Sequence, residues 1–119
     1  MPSERDRVLK YGEDKYHAQP THPWNNFPNY TVLRNAESDK WFALIMDVPR
    51  AKIGLGGDDI VDILDIKCDP NEVGDLRKKE GYLRAYHMNK EHWVTILLDG
   101  TVPLQDITHL MDKSYELTR

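Results

Sequence analysis

The sequence predicts an α+β domain of two layers: a mainly antiparallel sheet with helices on one face, in the order α-β-β-β-α-β-α. Three observations predict it. Ile60–Cys68 alternates, with Leu64, Ile66 and Cys68 on one side and Val61, Ile63, Asp65 and Lys67 on the other, the period of a strand. Asp69-Pro70-Asn71-Glu72 offers Asp at N-cap, Pro at N1 and Glu at N3, a strong helix start. Leu104, Ile107, Leu110, Met111 and Ser114/Tyr115 recur at helical spacing, so a closing helix has an apolar stripe to bury.

In chain order, Ser3 followed by Asp6 resembles a capping box, opening a first helix through about Tyr16 with Val8, Tyr11 and Lys15 along one face. Pro20, Pro23 and Pro28 make residues 17–29 an extended loop, pinned by Trp24 and Phe27. Tyr30–Asn35 reads as a short strand, 35–39 as a turn, and Trp41–Val48 as a second strand. The connection Pro49–Asp59 carries Gly54, Gly56 and Gly57, a flexible hairpin loop before the strand Ile60–Cys68. After the second helix, Gly81 stands where a C′ residue belongs. A short segment Tyr82–His87 leads to the strand Trp93–Leu98, Asp99-Gly100 turns the chain, and Pro103 opens the last helix.

A chain of 119 residues makes one domain, spanning 1–119, that buries roughly 65% of its unfolded surface. Its 39% hydrophobic and 30% charged residues suit a folded protein. Mean hydropathy of −0.68 and short apolar stretches exclude a helical membrane span. The charged start lacks the apolar core of a secretory signal, and the chain reads as cytoplasmic. Cys68 is the single cysteine, so no intrachain disulfide and no cysteine-rich metal site can form.

Catalytic motifs are weak. Ser3, Ser38 and Ser114 stand in a terminus, a turn and a helix, outside any Gly-x-Ser-x-Gly elbow. Cys68, on the inward side of its strand, reads as a small core residue. His87 and His92 flank a turn, but the intervening Lys90 repels a cation, so no metal and no cofactor is expected. Asp58, Asp59, Asp62 and Asp65 lack the register of a calcium loop and read as acidic loop and strand-edge residues. Gly54-Leu55-Gly56-Gly57 lacks the Lys-Ser/Thr ending of a phosphate loop, and Asp58 and Asp59 follow it directly.

Charge offers more. The net charge is −4, unlike a dedicated nucleic-acid binder. Yet between residues 77 and 92 the basic Arg77, Lys78, Lys79, Arg84 and Lys90 face only Glu80 and Glu91. Arg77, Lys78 and Lys79 suit a helix C-terminus without any partner, by the macrodipole. His87, Asn89, Lys90 and His92 mix donors and acceptors at a strand entrance. They serve either to satisfy the turn and fix Trp93, or to contact a phosphate, base or peptide. Arg50 and Lys52, at the start of the Gly-rich connection, are secondary candidates for an anionic partner.

The run His87–Gly100, with its Asn89-Lys90-x-His92-Trp93 and Leu98-Asp99-Gly100 elements, resembles the MmcQ/YjbR family of small bacterial proteins. So do Val102-Pro103, Asp112-Lys113-Ser114-Tyr115, Trp41–Pro49, Lys67-Cys68-Asp69-Pro70, Pro23-Trp24 and Phe27-Pro28. The resemblance covers most of 22–118. It implies a compact CyaY-like fold and a DNA-binding role with a double-wing motif, and it supplies no catalytic residue. The acidic charge and the longer Gly-rich loop 54–57 depart from that pattern. The expectation is a non-enzymatic DNA-binding protein using Arg77, Lys78, Lys79, Arg84, His87, Asn89, Lys90 and His92. Two alternatives stand beside it. One is a chaperone-like or self-associating interaction module using the sheet face or an aromatic groove near Trp24 and Phe27. The other is a small anionic-ligand pocket around His87, Asn89, Lys90, His92 and Trp93.

Overall fold

A computed structural model of the chain describes residues 3–119; Met1 and Pro2, where the reading of a leaderless start begins, lie outside them. The elements are α1 (Glu4–Tyr16), β1 (Thr31–Arg34), β2 (Trp41–Pro49), a single 3₁₀ turn (Arg50–Ile53), β3 (Ile60–Lys67), α2 (Pro70–Leu76), β4 (Tyr82–Arg84), β5 (Trp93–Leu97) and α3 (Leu104–Leu117). The strands form one sheet in the order β1-β2-β3-β5-β4, every neighbouring pair antiparallel.

The local signals act as their chemistry requires. The Ser3 hydroxyl accepts the Asp6 N–H at 3.1 Å while the Asp6 carboxylate accepts the Ser3 N–H, closing the capping box of α1. Asp69 accepts the Asn71 N–H at 2.9 Å and Pro70 starts α2. Asp99 accepts the Thr101 N–H, and Gly100 takes φ +92° in the turn.

Two expectations about elements change. The segment after α2 contains an additional short strand, β4, because Tyr82, Leu83 and Arg84 pair with Ile96, Thr95 and Val94 of β5. Consequently α2 stops at Leu76, well short of Gly81. The chain must leave the helix axis to reach β5, and it does so through tight turns from Arg77 to Tyr82. Gly81 is therefore the pivot into β4 rather than the end of α2. Its φ is +89°, and a Cβ there would stand 2.6 Å from Val102 Cγ2.

The sheet is covered on both faces, by different means. Phe42, Ile45, Leu64, Ile66, Val94 and Ile96 pack under the three helices, with Val8, Val73, Leu76, Ile107 and Met111. Gly12 brings α1 close to β1, where an added Cβ would meet Leu33 Cδ1 at 3.0 Å. Ser114 fastens α3 to the strands: its hydroxyl donates to the Phe42 carbonyl at 2.6 Å and accepts the Lys67 N–H at 3.2 Å. Across α1 and α3, Tyr11 and Lys15 both donate to the Asp112 carboxylate, which holds the Lys15 ammonium above its ordinary pKa.

The opposite face carries Val32, Leu44, Met46, Val61, Ile63 and Leu97. No helix covers it. Trp24, Trp41, Ile53, Leu55, Tyr86 and Met88, mostly from loops, close over it instead. No helix of the described residues is long and apolar enough to cross a membrane.

Candidate functional site

The loop-covered face places the segment 85–92 at its edge. Both ends of that segment are held by the sheet. The Tyr86 N–H donates to the Thr95 hydroxyl at 2.9 Å, and the Cys68 N–H donates to the His92 carbonyl at 2.7 Å. Between them Asn89 builds the turn. Its side-chain oxygen accepts the Glu91 N–H at 2.8 Å, and its carbonyl accepts the His92 N–H. His87 sits at the outward apex with φ +65°, a conformation uncommon for a residue with a side chain. Its exposed ring lies against Tyr86 with centroids 3.9 Å apart.

This geometry divides the basic residues sharply. Lys52, Arg84, His87 and Lys90 surround one groove of about 540 Å³ whose remaining lining, Ile53, Leu83, Ala85 and Tyr86, contains no carboxylate. Lys52 arrives from the 3₁₀ turn after β2 and Arg84 from β4, so a long-range approach gathers what the sequence separates by 32 to 38 positions (84 − 52 and 90 − 52). Among the described residues, none of Lys52, Arg84 and Lys90 forms an ion pair. Arg77 reaches the same region through a second hollow, which it shares with Lys90 and Glu91.

The other candidates are placed elsewhere. Lys78 stands 3.9 Å from the Asp75 carboxylate, and Lys79 borders a hollow with Glu72, Asp75 and Asp106. Neither joins the groove, and neither sits in the last turn of α2 as their spacing suggested. Arg50 staples its own loop, donating from Nε to the Gly56 carbonyl at 2.9 Å. Its charge also helps hold the Asp99 carboxyl below the usual range, after the hydrogen bonds from Thr101 and against a burial effect that acts the other way. Asn89 is consumed by the turn, His92 lies outside the groove lining, and Trp93 is buried. The pocket expected around all five of His87, Asn89, Lys90, His92 and Trp93 is therefore not the one formed.

Beneath the segment lies a carboxylate that the charge pattern had assigned to a strand edge. Asp65 belongs to the central strand β3 and is fully buried. Thr95, its register partner on β5, donates its hydroxyl to Asp65 Oδ1, while Oδ2 has no hydrogen-bond partner among the described residues. Burial pushes the Asp65 carboxyl up to about 7, with Thr95, the Lys90 charge and the Tyr86 N–H each pulling it back. A signal for this existed: Asp65 continues the alternation of Val61 and Ile63, placing a carboxyl at a position of apolar character.

Beyond His87 the groove continues into an aromatic hollow of about 320 Å³, walled by Trp24, Phe27, Tyr30, Trp41 and Met88 over Leu44 and Met46. Trp24 meets Trp41 and Tyr30 edge-on at 5.6 and 5.9 Å, and Phe27 stacks on Tyr30 at 4.6 Å. The Pro-rich loop is pinned by Trp24 as expected, but Phe27 remains 49% exposed. Among the described residues no three His, Cys, Asp or Glu side chains converge as a metal site would need. Burial pushes the Cys68 thiol up to about 12, that of a core residue.

Comparison with known proteins places the chain among relatives over nearly its whole length. The YjbR family model matches residues 13–117. Uncharacterized protein YyaQ of Bacillus subtilis is 42% identical over 115 residues, covering 97% of this chain and 98% of its own. A crystal structure of a Pseudomonas syringae protein is similar with a TM-score of 0.94 and 50% identity, over 97% of this chain and 98% of that one. Deinococcus radiodurans protein DR2400, with a DUF419 domain, is similar with a TM-score of 0.71 at 27% identity. That match covers 98% of this chain and 78% of the other.

Proposed function

The chain belongs to the YjbR family, and we propose that it is a non-enzymatic, cytoplasmic DNA-binding protein whose contact with the phosphate backbone is the Lys52–Arg84–His87–Lys90 groove. One observation carries this reading: cations from two separated parts of the chain line one groove free of carboxylates, on a protein whose net charge is −4. The net negative charge disfavours a polyanion over the surface as a whole, which favours contact at that groove. Arg84 supplies a planar fork suited to phosphate, and Lys52 and Lys90 supply point charges. Such contacts position a nucleic acid without reading its sequence.

A fluorescence-anisotropy titration of a labelled oligonucleotide against salt tests the proposal. Three phosphate contacts give a slope of log affinity on log salt of roughly −2.7 on duplex DNA. Absence of binding at low salt, or binding indifferent to Arg84→Ala, would sink it.

A second reading, a protein-interaction module, is favoured by the half-exposed Phe27 beside an apolar hollow. A small anionic ligand in the groove is the third, and a thermal shift with nucleotides or sugar phosphates identifies it.

A further inference from the structure

We propose that the aromatic hollow walled by Trp24, Phe27, Tyr30, Trp41 and Met88 receives an unpaired nucleobase of the strand whose phosphates lie in the adjoining cationic groove, so that the protein binds single-stranded nucleic acid in preference to duplex. This rests on the phosphate-binding reading above and specifies its substrate.

Three observations carry it. First, the two depressions are contiguous: His87 lines both. A ligand that crosses His87 meets cations on one side and aromatic faces on the other. That pairing of a charged track with a stacking surface is how single strands are bound, because every base has a π-face and every nucleotide a phosphate.

Second, apart from His87 at its junction with the groove the hollow is walled by aromatic and apolar side chains, with Leu44 and Met46 buried beneath it. Phe27 keeps 49% of its surface exposed at its border. A flat aromatic occupant gains stacking area there without displacing charge. A duplex offers no such group, since its bases are stacked and paired, and extracting one costs a few kcal/mol.

Third, the junction is built with a constrained residue. His87 holds φ +65° and its ring rests on Tyr86 at 3.9 Å. The sheet anchors of the segment, Tyr86 on Thr95 and His92 on Cys68, hold that apex at the boundary between the two depressions. Strain retained by its surroundings at such a boundary is the pattern of a ligand-contacting position.

The test uses the full chain and one short mixed-sequence oligodeoxynucleotide, either single-stranded or annealed to its complement, at equal salt. The single strand is expected to bind about tenfold more tightly, the effect of one stacked base. It should also quench tryptophan fluorescence, because Trp24 and Trp41 wall the hollow. Phe27→Ala is expected to remove most of the tenfold preference and leave duplex binding unchanged; Phe27→Tyr is expected to restore it. Arg84→Ala is expected to weaken both forms alike.

Equal affinity for the two forms, or a preference untouched by Phe27→Ala, would overturn the base-binding assignment while leaving the phosphate groove standing. Failure of both forms to bind at low salt overturns the groove and the hollow alike. Deoxyadenosine monophosphate bound as tightly as the strand would overturn the strand as occupant in favour of a free nucleotide. Concentration-dependent dimerisation that Phe27→Ala abolishes, without any effect on DNA binding, would give the hollow to a second copy of the chain.

Discussion

The Thr95 hydroxyl donates to Asp65 across the β3–β5 pair, deep inside the sheet and directly under the segment that carries the groove. The same hydroxyl accepts the Tyr86 N–H, so one threonine couples a buried carboxyl to the backbone of the 85–92 segment. Stability and the candidate site thus share an ionisable group.

Stability should therefore fall as pH rises through the acid range. The Asp65 carboxyl titrates near 7 in the folded chain against 3.8 ordinarily. The folded state binds the extra proton between those values, so unfolding becomes easier with rising pH. The slope reaches about 1.4 kcal/mol per pH unit and flattens above 7. Asp65→Asn removes that slope and is relatively most stabilising at alkaline pH. Urea unfolding at pH 5 and pH 8 measures it; a variant with the parent's pH dependence excludes Asp65 as the source.

Removing charge from the groove should change binding without changing folding. Lys52 and Arg84 are exposed, so replacing both by Ala shifts stability by less than about 0.5 kcal/mol. The salt slope of DNA affinity should shrink by about 2, one for each cation. Lys78→Ala, whose lysine stands beside Asp75 away from the groove, serves as the control with an unchanged slope.

Ser114→Ala should cost about 1–3 kcal/mol in chemical denaturation. It leaves the Phe42 carbonyl and the Lys67 N–H without the hydroxyl that serves both. The proposed DNA contact should be unaffected, because α3 packs on the helix-covered face.

Gly81→Ala should destabilise by at least about 1 kcal/mol from its backbone alone, since φ is +89°. The added Cβ also meets Val102 at 2.6 Å. Combining it with Val102→Ala should recover part of the loss beyond additivity, and a double-mutant cycle reads that coupling. Strict additivity would show that the close approach to Val102 carries none of the cost.

The elements were largely legible because their signals are short-range. Ser3 with Asp6, Asp69 with Pro70 and the 3.6-residue stripe of α3 each act within a turn or two of helix. The alternation of Ile60–Lys67 likewise describes one strand's two faces. β4 was hidden because Tyr82–Arg84 is only three residues long and exists by pairing with β5, which no local pattern announces.

What the sequence alone determined was therefore the elements other than β4, the family and a pool of basic residues between positions 50 and 92. Tertiary structure decided which of them act together. It brought Lys52 beside Arg84 and Lys90, turned Lys78 and Lys79 toward carboxylates, spent Arg50 on its own loop, and buried Asp65 in the central strand. The reason is physical. Helix caps and strand periods depend on neighbours along the chain, whereas the field and solvent around a charge depend on neighbours in space.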